Sequence, residues 1–176
     1  MKHFIAGLSK RLTVCLTLYF QLRSHLKKDF PGLFDITAAG HLLAHEKVSD
    51  GIREVREELG VDLCMEDLKP IGIFKDSIVQ RDFIDNEFAH TYVYIMGRAS
   101  ASFRLQEEEV SAIYSVPIAD VISLYEREID HITLACIHSN STIHSSLIVK
   151  PEDFVPHSEE YTGKVLKSLN RIGGMI

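Results

Sequence analysis

Apolar and polar positions along the chain mark out a series of strands and a few short helices. Residues 11–22 carry Leu, Thr, Val and Tyr in a run that predicts a strand, and Leu33 to Ala38 predicts a second, short one. Between them, Lys27-Lys28-Asp29-Phe30-Pro31-Gly32 is a charged loop closed by a Pro-Gly turn. Gly40 to Lys47 reads as a loop, and Ser49 as the N-cap of a helix that runs to Leu59 and stops at Gly60. On that helix Ile52, Val55 and Leu59 recur at i, i+3 and i+7 and form one buried stripe. Strands are predicted at Leu68 to Val79 and His90 to Arg98. After an acidic loop, Glu107 to Val110, a strand at Ala112 to Val116 leads through Pro117 into a helix from Ile118 to Arg127. Residues 128–150 are apolar with scattered His, Ser and Thr, and Glu159 to Arg171 predicts a last helix. Strands mixed with helices of unequal length, without regular alternation of the two, suggest an α/β/α sandwich around a mixed β-sheet.

With 176 residues the chain is long enough for one sizeable core and short for two, so residues 1–176 read as a single domain. Within it, residues 1–15 look like an atypical or shortened start and residues 128–176 like a C-terminal extension. A net charge of −6 argues against a partner that is a nucleic-acid polymer, which would need many Lys and Arg on its phosphates. Three cysteines, Cys15, Cys64 and Cys136, make no CxxC pair, so neither a disulfide framework nor a structural zinc site is suggested, and a cytoplasmic location fits. Lys2, Lys10 and Arg11 before the apolar run to Phe20 superficially imitate a signal peptide, but no small-residue cleavage site follows. Nowhere are there about 18 consecutive apolar residues, so no membrane span is expected.

The chemistry concentrates in Arg53-Glu54-Val55-Arg56-Glu57-Glu58-Leu59-Gly60-Val61. Glu54, Glu57 and Glu58 stand at i, i+3 and i+4 and crowd one helix face, where like charges repel by a few tenths of a kcal/mol per pair. A hard cation compensates such crowding, because Mg²⁺ takes oxygen ligands and bridges to substrate phosphates. Arg53, one turn before Glu57, can hold that carboxylate by a charge-assisted bond. The bland alternative is a solvated acidic face balanced by Arg53 and Arg56.

These residues resemble the Nudix box: Gly, five residues, Glu, seven residues, then Arg-Glu-aliphatic-any-Glu-Glu-any-Gly-aliphatic. The second half is complete from Arg53 to Val61, a match that chance would give in such a chain with a probability on the order of 10⁻⁵. In the first half, Gly40 and Glu46 have the required five residues between them, but six rather than seven separate Glu46 from Arg53. Counting back rigidly from Arg53 would instead reach Ala39 and His45. The resemblance implies that Glu54, Glu57, Glu58 and the Gly40 backbone carbonyl hold the metal.

A further likeness joins the chain to the branch of the family that contains isopentenyl-diphosphate isomerases. It is carried by Lys27-Lys28, Pro31-Gly32, Gly40-His41, Asp85-Asn86-Glu87, Glu107-Glu108-Glu109-Val110 and Ile118-Ala119-Asp120-Val121, within residues 16–125. Where those isomerases have a catalytic cysteine before Gly-His, this chain has Ala39, which cannot move the proton that double-bond migration requires. The likeness therefore implies a hydrolase of a diphosphate linkage in a nucleoside di- or triphosphate or a similar small molecule, using Mg²⁺ or Mn²⁺, with a homodimer compatible with this reading. Glu87 is a candidate additional metal ligand, and His41 a structural or supporting histidine more than a ligand. Arg23, Lys27 and Lys28 either grip substrate phosphates or are solvated loop charges. Phe30, Phe34 and Phe83 either stack on a base or belong to the core. The base that activates water is open among Glu54, Glu87 and the run Glu107, Glu108, Glu109. His131, His138 and His144 read as surface or satisfied polar groups.

Overall fold

A computed structural model of the chain describes residues 2–12, 15–80, 83–96, 102–139 and 145–175. Its strands are β1 (Lys2–Leu12), β2 (Cys15–Arg23), β3 (Phe34–Ile36), β4 (Ala38–His41), β5 (Lys69–Gln80), β6 (Phe83–Met96), β7 (Val110–Pro117), β8 (Ile132–Ser139) and β9 (Ser146–Val149). All nine join one sheet in the order β5-β6-β1-β2-β7-β8-β9, with β3 paired to β2 and β4 to β1. β1 and β6 run parallel and the other described pairs antiparallel, so the sheet is mixed, as expected. Helix α1 (Arg53–Leu59) packs Val55 and Leu59 against one face, and α2 (Ile118–Tyr125) and α3 (Glu159–Met175) pack on the other. The α/β/α layering predicted from the sequence is present. None of the described helices is long and apolar enough to cross a membrane.

The beginning of the chain differs from expectation. Lys2–Leu12 is a central strand that pairs with β2, β4 and β6, and the strand expected at 11–22 spans the end of β1 and most of β2. Residues 13–14 lie outside the described residues. The pattern hid β1 because Phe4, Ile5 and Ala6 are all buried: the strand is covered on both faces, and alternation is lost where neither face meets water.

β6 likewise begins before His90, at Phe83, because Asp85, Asn86 and Glu87 are poor strand formers that nonetheless pair with Ile78, Ser77 and Asp76 of β5. Its expected end at residues 97–98 lies outside the described residues. Ser49 is not a cap. A 3-10 turn starts at Val48 and runs straight into α1, with the Asp50 carboxylate accepting the Lys47 N–H at 2.8 Å. The tail beyond residue 127 adds β8, β9 and α3, which buries Tyr161, Leu166 and Leu169.

Candidate functional site

Gly60 ends α1 with φ of +67°, a left-handed conformation that glycine adopts without strain, and its N–H donates to the Arg56 carbonyl at 2.9 Å. The following loop is stitched to the last turn of the helix, since Arg104 N–H donates to the Leu59 carbonyl at 2.8 Å and Gln106 N–H to the Glu58 carbonyl at 3.0 Å. This attachment sets the turn at 107–109 beside α1. Glu109 faces the box and pairs with Lys27, whereas Glu107 and Glu108 are exposed.

Gly40 of β4 and Glu54 of α1 are in direct apposition. A Cβ on Gly40 would overlap the Glu54 carboxylate, so this position has room only for hydrogen. Arg53 pairs with Glu54 and, at 3.2 Å, with Glu46, which also accepts the Leu43 N–H at 2.7 Å. Arg53 was expected to hold Glu57; instead Glu57 points to solvent and Arg53 turns toward Glu46 and Glu54. Of the two alignments of the first half of the box, Gly40 and Glu46 are the residues placed at Arg53 and Glu54. Ala39 packs with Ile5, Ala89 and Tyr161 on the α3 side, and His45 is exposed.

Glu58 is 4% exposed, and its Oε2 has no hydrogen-bond partner. Burial, with further pressure from Glu54, Glu109 and Asp35 against the pull of Lys27, pushes its carboxyl up to about 8. Glu54 is also raised, by burial first, with Arg53 opposing and Glu57 and Glu109 adding to the rise. An orphaned buried carboxylate oxygen beside two further carboxylates and a glycine-lined approach is a donor set that suits a hard divalent cation.

The structure does not gather all the expected residues at this place. Glu87 lies with His41 and Asp85, their ligand atoms within 4.8 Å of one another and His41 Nε2 3.8 Å from Asp85 Oδ2. Neighbouring residues of a strand point to opposite faces, so His41 looks away from the side on which Gly40 meets Glu54. Asp85 was named from the sequence only as part of the Asp85-Asn86-Glu87 likeness and not as a ligand, although it sits two residues from Glu87 on the same face of β6.

Arg23 is turned inward. Its guanidinium bonds Asp35 Oδ2 at 2.9 Å and the carbonyls of Phe30 and Asp29 at 3.2 and 2.8 Å, bracing the loop that carries Lys27 and the exposed Lys28. Phe34 is core, edge-on to Tyr114 at 5.4 Å. Phe30 is half-buried, the Phe83 side chain and His144 lie outside the described residues, His131 pairs with Asp130, and the His138 ring lies 6.2 Å from that of Phe103.

A second polar cluster was not visible in the sequence. His157, just before α3, bridges two buried carboxylates, with Nε2 3.0 Å from Asp35 and Nδ1 2.6 Å from Asp76. Burial opposes a charge on His157, but the bonds to both aspartates outweigh it and raise the ring to about 10. Asp76 is correspondingly held down to about 2, against the effect of burial, by His157 and Ser158. Its partners are 81 and 122 residues away, beyond any local motif.

Comparison with known proteins agrees with the geometry. The family model described as NUDIX domain matches residues 16–135. An uncharacterized Nudix hydrolase of Clostridium acetobutylicum is 35% identical over 155 residues, covering 86% of this chain and 75% of the relative. Nudix hydrolase 3 of Arabidopsis thaliana is 37% identical over 116 residues, covering 63% of this chain but only 15% of that much longer protein. Among solved structures, a MutT/nudix family protein of Enterococcus faecalis superposes with a TM-score of 0.60 at 14% identity, over 97% of this chain and 61% of its own. With the box helix, its glycine stop and the Gly40–Glu54 contact in place, the chain belongs to the Nudix hydrolase family and is a Nudix-type pyrophosphohydrolase.

Proposed function

We propose that this chain hydrolyses a diphosphate linkage in a nucleoside di- or triphosphate or a related nucleotide-like molecule, with Mg²⁺ or Mn²⁺ held by Glu54, Glu57, Glu58 and the Gly40 carbonyl. The observation that carries this reading is the buried Glu58 oxygen without a partner, set among Glu54 and Glu109 and opposed by the Lys27 cation alone of the groups that act on it most. Such a group is costly to keep unless something bonds it. When bound, the metal neutralises the diphosphate and acidifies a water. Arg53 orients Glu54 through an ion pair, and Glu46 holds Arg53 from the other side. Lys27, beside the carboxylates, is placed to meet a phosphate oxygen once Glu109 releases it, and Glu109 then becomes the carboxylate of the acidic run that accepts a proton from the attacking water. Lys28, exposed on the same loop, adds attraction for the anionic substrate, while Arg23 serves that loop's shape.

Within the family we favour the isomerase-like branch, in its hydrolytic form. The cluster of His41, Asp85 and Glu87 supports that placement, as a second candidate site for a cation. Ala39 argues against isomerisation, having no proton to exchange. Among the described side chains Cys64 and Cys136 are free thiols, which accords with a reducing cytoplasm.

The test is a screen of nucleotides and diphosphate-linked metabolites, scored by released phosphate with Mg²⁺, with Mn²⁺ and with excess chelator. Hydrolysis should vanish with chelator and return with metal. Full activity in chelator sinks the metal-dependent reading, and an allylic isomer formed from isopentenyl diphosphate overturns the hydrolytic one.

A further inference from the structure

Between the sheet and helices α2 and α3 is a cavity of about 320 Å³. That volume falls at the lower end of small-molecule sites, about 300–1,000 Å³. Phe20, Phe34 and Phe154 form an aromatic wall, with Phe154 5.3 Å from Phe20 and 5.7 Å from Phe34 between ring centroids. Leu166 of α3 supplies another side. At the polar end stand Thr91 and Tyr161. The Tyr161 hydroxyl is buried, in a residue only 2% exposed; the Thr91 side chain interacts with it, but the pair falls short of hydrogen-bond geometry. Buried polar groups are nearly always bonded, so an orphaned hydroxyl on a cavity wall marks a place for a partner.

Of the charged side chains that line the cavity, Asp35 is paired with Arg23 and His157, and Glu159 with Arg127, so each already has a counter-ion. Phe154, His157, Tyr161 and Leu166 all lie beyond residue 135, where the family match ends, so the cavity is completed by this chain's own tail.

We propose that the cavity binds a neutral, largely apolar molecule or group that carries one hydrogen-bonding function, received by the Tyr161 hydroxyl. Two sources share that chemistry: a free small molecule, or the organic half of the substrate. The second rests on the function proposed above; Asp35, which lines the cavity and whose charge acts on Glu58, is the link between the two places.

Calorimetric titration of the full chain with 2-naphthol, in chelator, tests the site without involving hydrolysis. Saturable one-to-one binding is expected. Tyr161→Phe should weaken it by about tenfold, the order of one net hydrogen bond. Leu166→Trp should abolish it by filling the cavity, and Val121→Phe, on α2, does the same job if Leu166→Trp fails to fold. No saturable binding by the unmodified protein, or unchanged affinity in a folded filling variant, overturns the proposal; unchanged affinity in Tyr161→Phe removes the hydroxyl from it. Titration with 2-naphthyl phosphate then separates the sources. A gain in affinity on adding Mg²⁺, lost in Glu58→Gln, assigns the cavity to the substrate, whereas binding that ignores Mg²⁺ assigns it to a free ligand.

Discussion

Lys27, in the loop after β2, is ion-paired with Glu109, in the turn before β7, across 82 positions of sequence. The pair ties two loops together at the edge of the carboxylate cluster. Its members are partly exposed, 21% and 34%, so solvent screens it and its contribution to stability is modest. A double-mutant cycle of Lys27→Met and Glu109→Gln, read by urea unfolding in chelator, should give a coupling of roughly 0.5–1 kcal/mol. Strict additivity would mean that the two loops are held by other contacts.

Glu57→Gln and Glu58→Gln should each lower kcat by about a hundredfold or more, since a tenfold loss corresponds to only about 1.4 kcal/mol of transition-state stabilisation. The two should differ in metal-free stability. Glu58 is buried, and burial above all, with Glu54, Glu109 and Asp35 adding to it, makes its charged form costly in the metal-free fold; a neutral side chain of the same shape removes that cost and should raise Tm in chelator. Glu57 is exposed, and its replacement should leave Tm nearly unchanged. Near-normal turnover in both variants would reduce the acidic face to a solvated one.

Gly40→Ala isolates a single methyl group. That methyl would meet the Glu54 carboxylate, which must swing away and loosen its bond with Arg53. The expected result is a loss of activity of at least about tenfold, with a larger Mg²⁺ requirement and a cooperative unfolding transition. A variant with unchanged metal dependence would show that Glu54 is not positioned from β4.

The His157 clasp makes stability depend on pH in a direction that can be worked out. His157 is raised from 6.5 to about 10 in the folded chain, so its contribution is full below 6.5 and disappears as the pH climbs through about 10. Asp76 is lowered from 3.8 to about 2, so its contribution is full above 3.8 and disappears as the pH falls through about 2. Unfolding free energy from these groups should therefore be greatest between 3.8 and 6.5 and should decline toward alkaline pH. His157→Gln should flatten the alkaline decline and cost about 3 kcal/mol at pH 6, because Asp35 and Asp76 lose the cation between them. An unaltered pH profile in that variant would place the dependence elsewhere.

The box helix was legible because its information is local. Arg53 to Val61 specifies spacing, an apolar stripe and a glycine stop within nine residues, and the buried Val55 and Leu59 follow from period alone. β1 was illegible for the opposite reason, its Phe4, Ile5 and Ala6 being buried on both faces. The partner of Arg53 was misjudged because helix spacing favours Glu57, while Glu46 is brought to it by the turn before the helix and Glu54 is its immediate neighbour. Asp35, Asp76 and His157 stand far apart in sequence, and only the sheet and the docking of α3 bring them together.

The two backbone bonds from Arg104 and Gln106 to the last carbonyls of α1 tie the acidic turn to the box helix. In hydrogen exchange, the amides of Arg104 and Gln106 should open together with those of the helix rather than as a separate loop. The Ser24 N–H donates to the Glu109 carbonyl at 2.9 Å, so the Lys27 loop is tied through the same turn to the helix that carries Glu58.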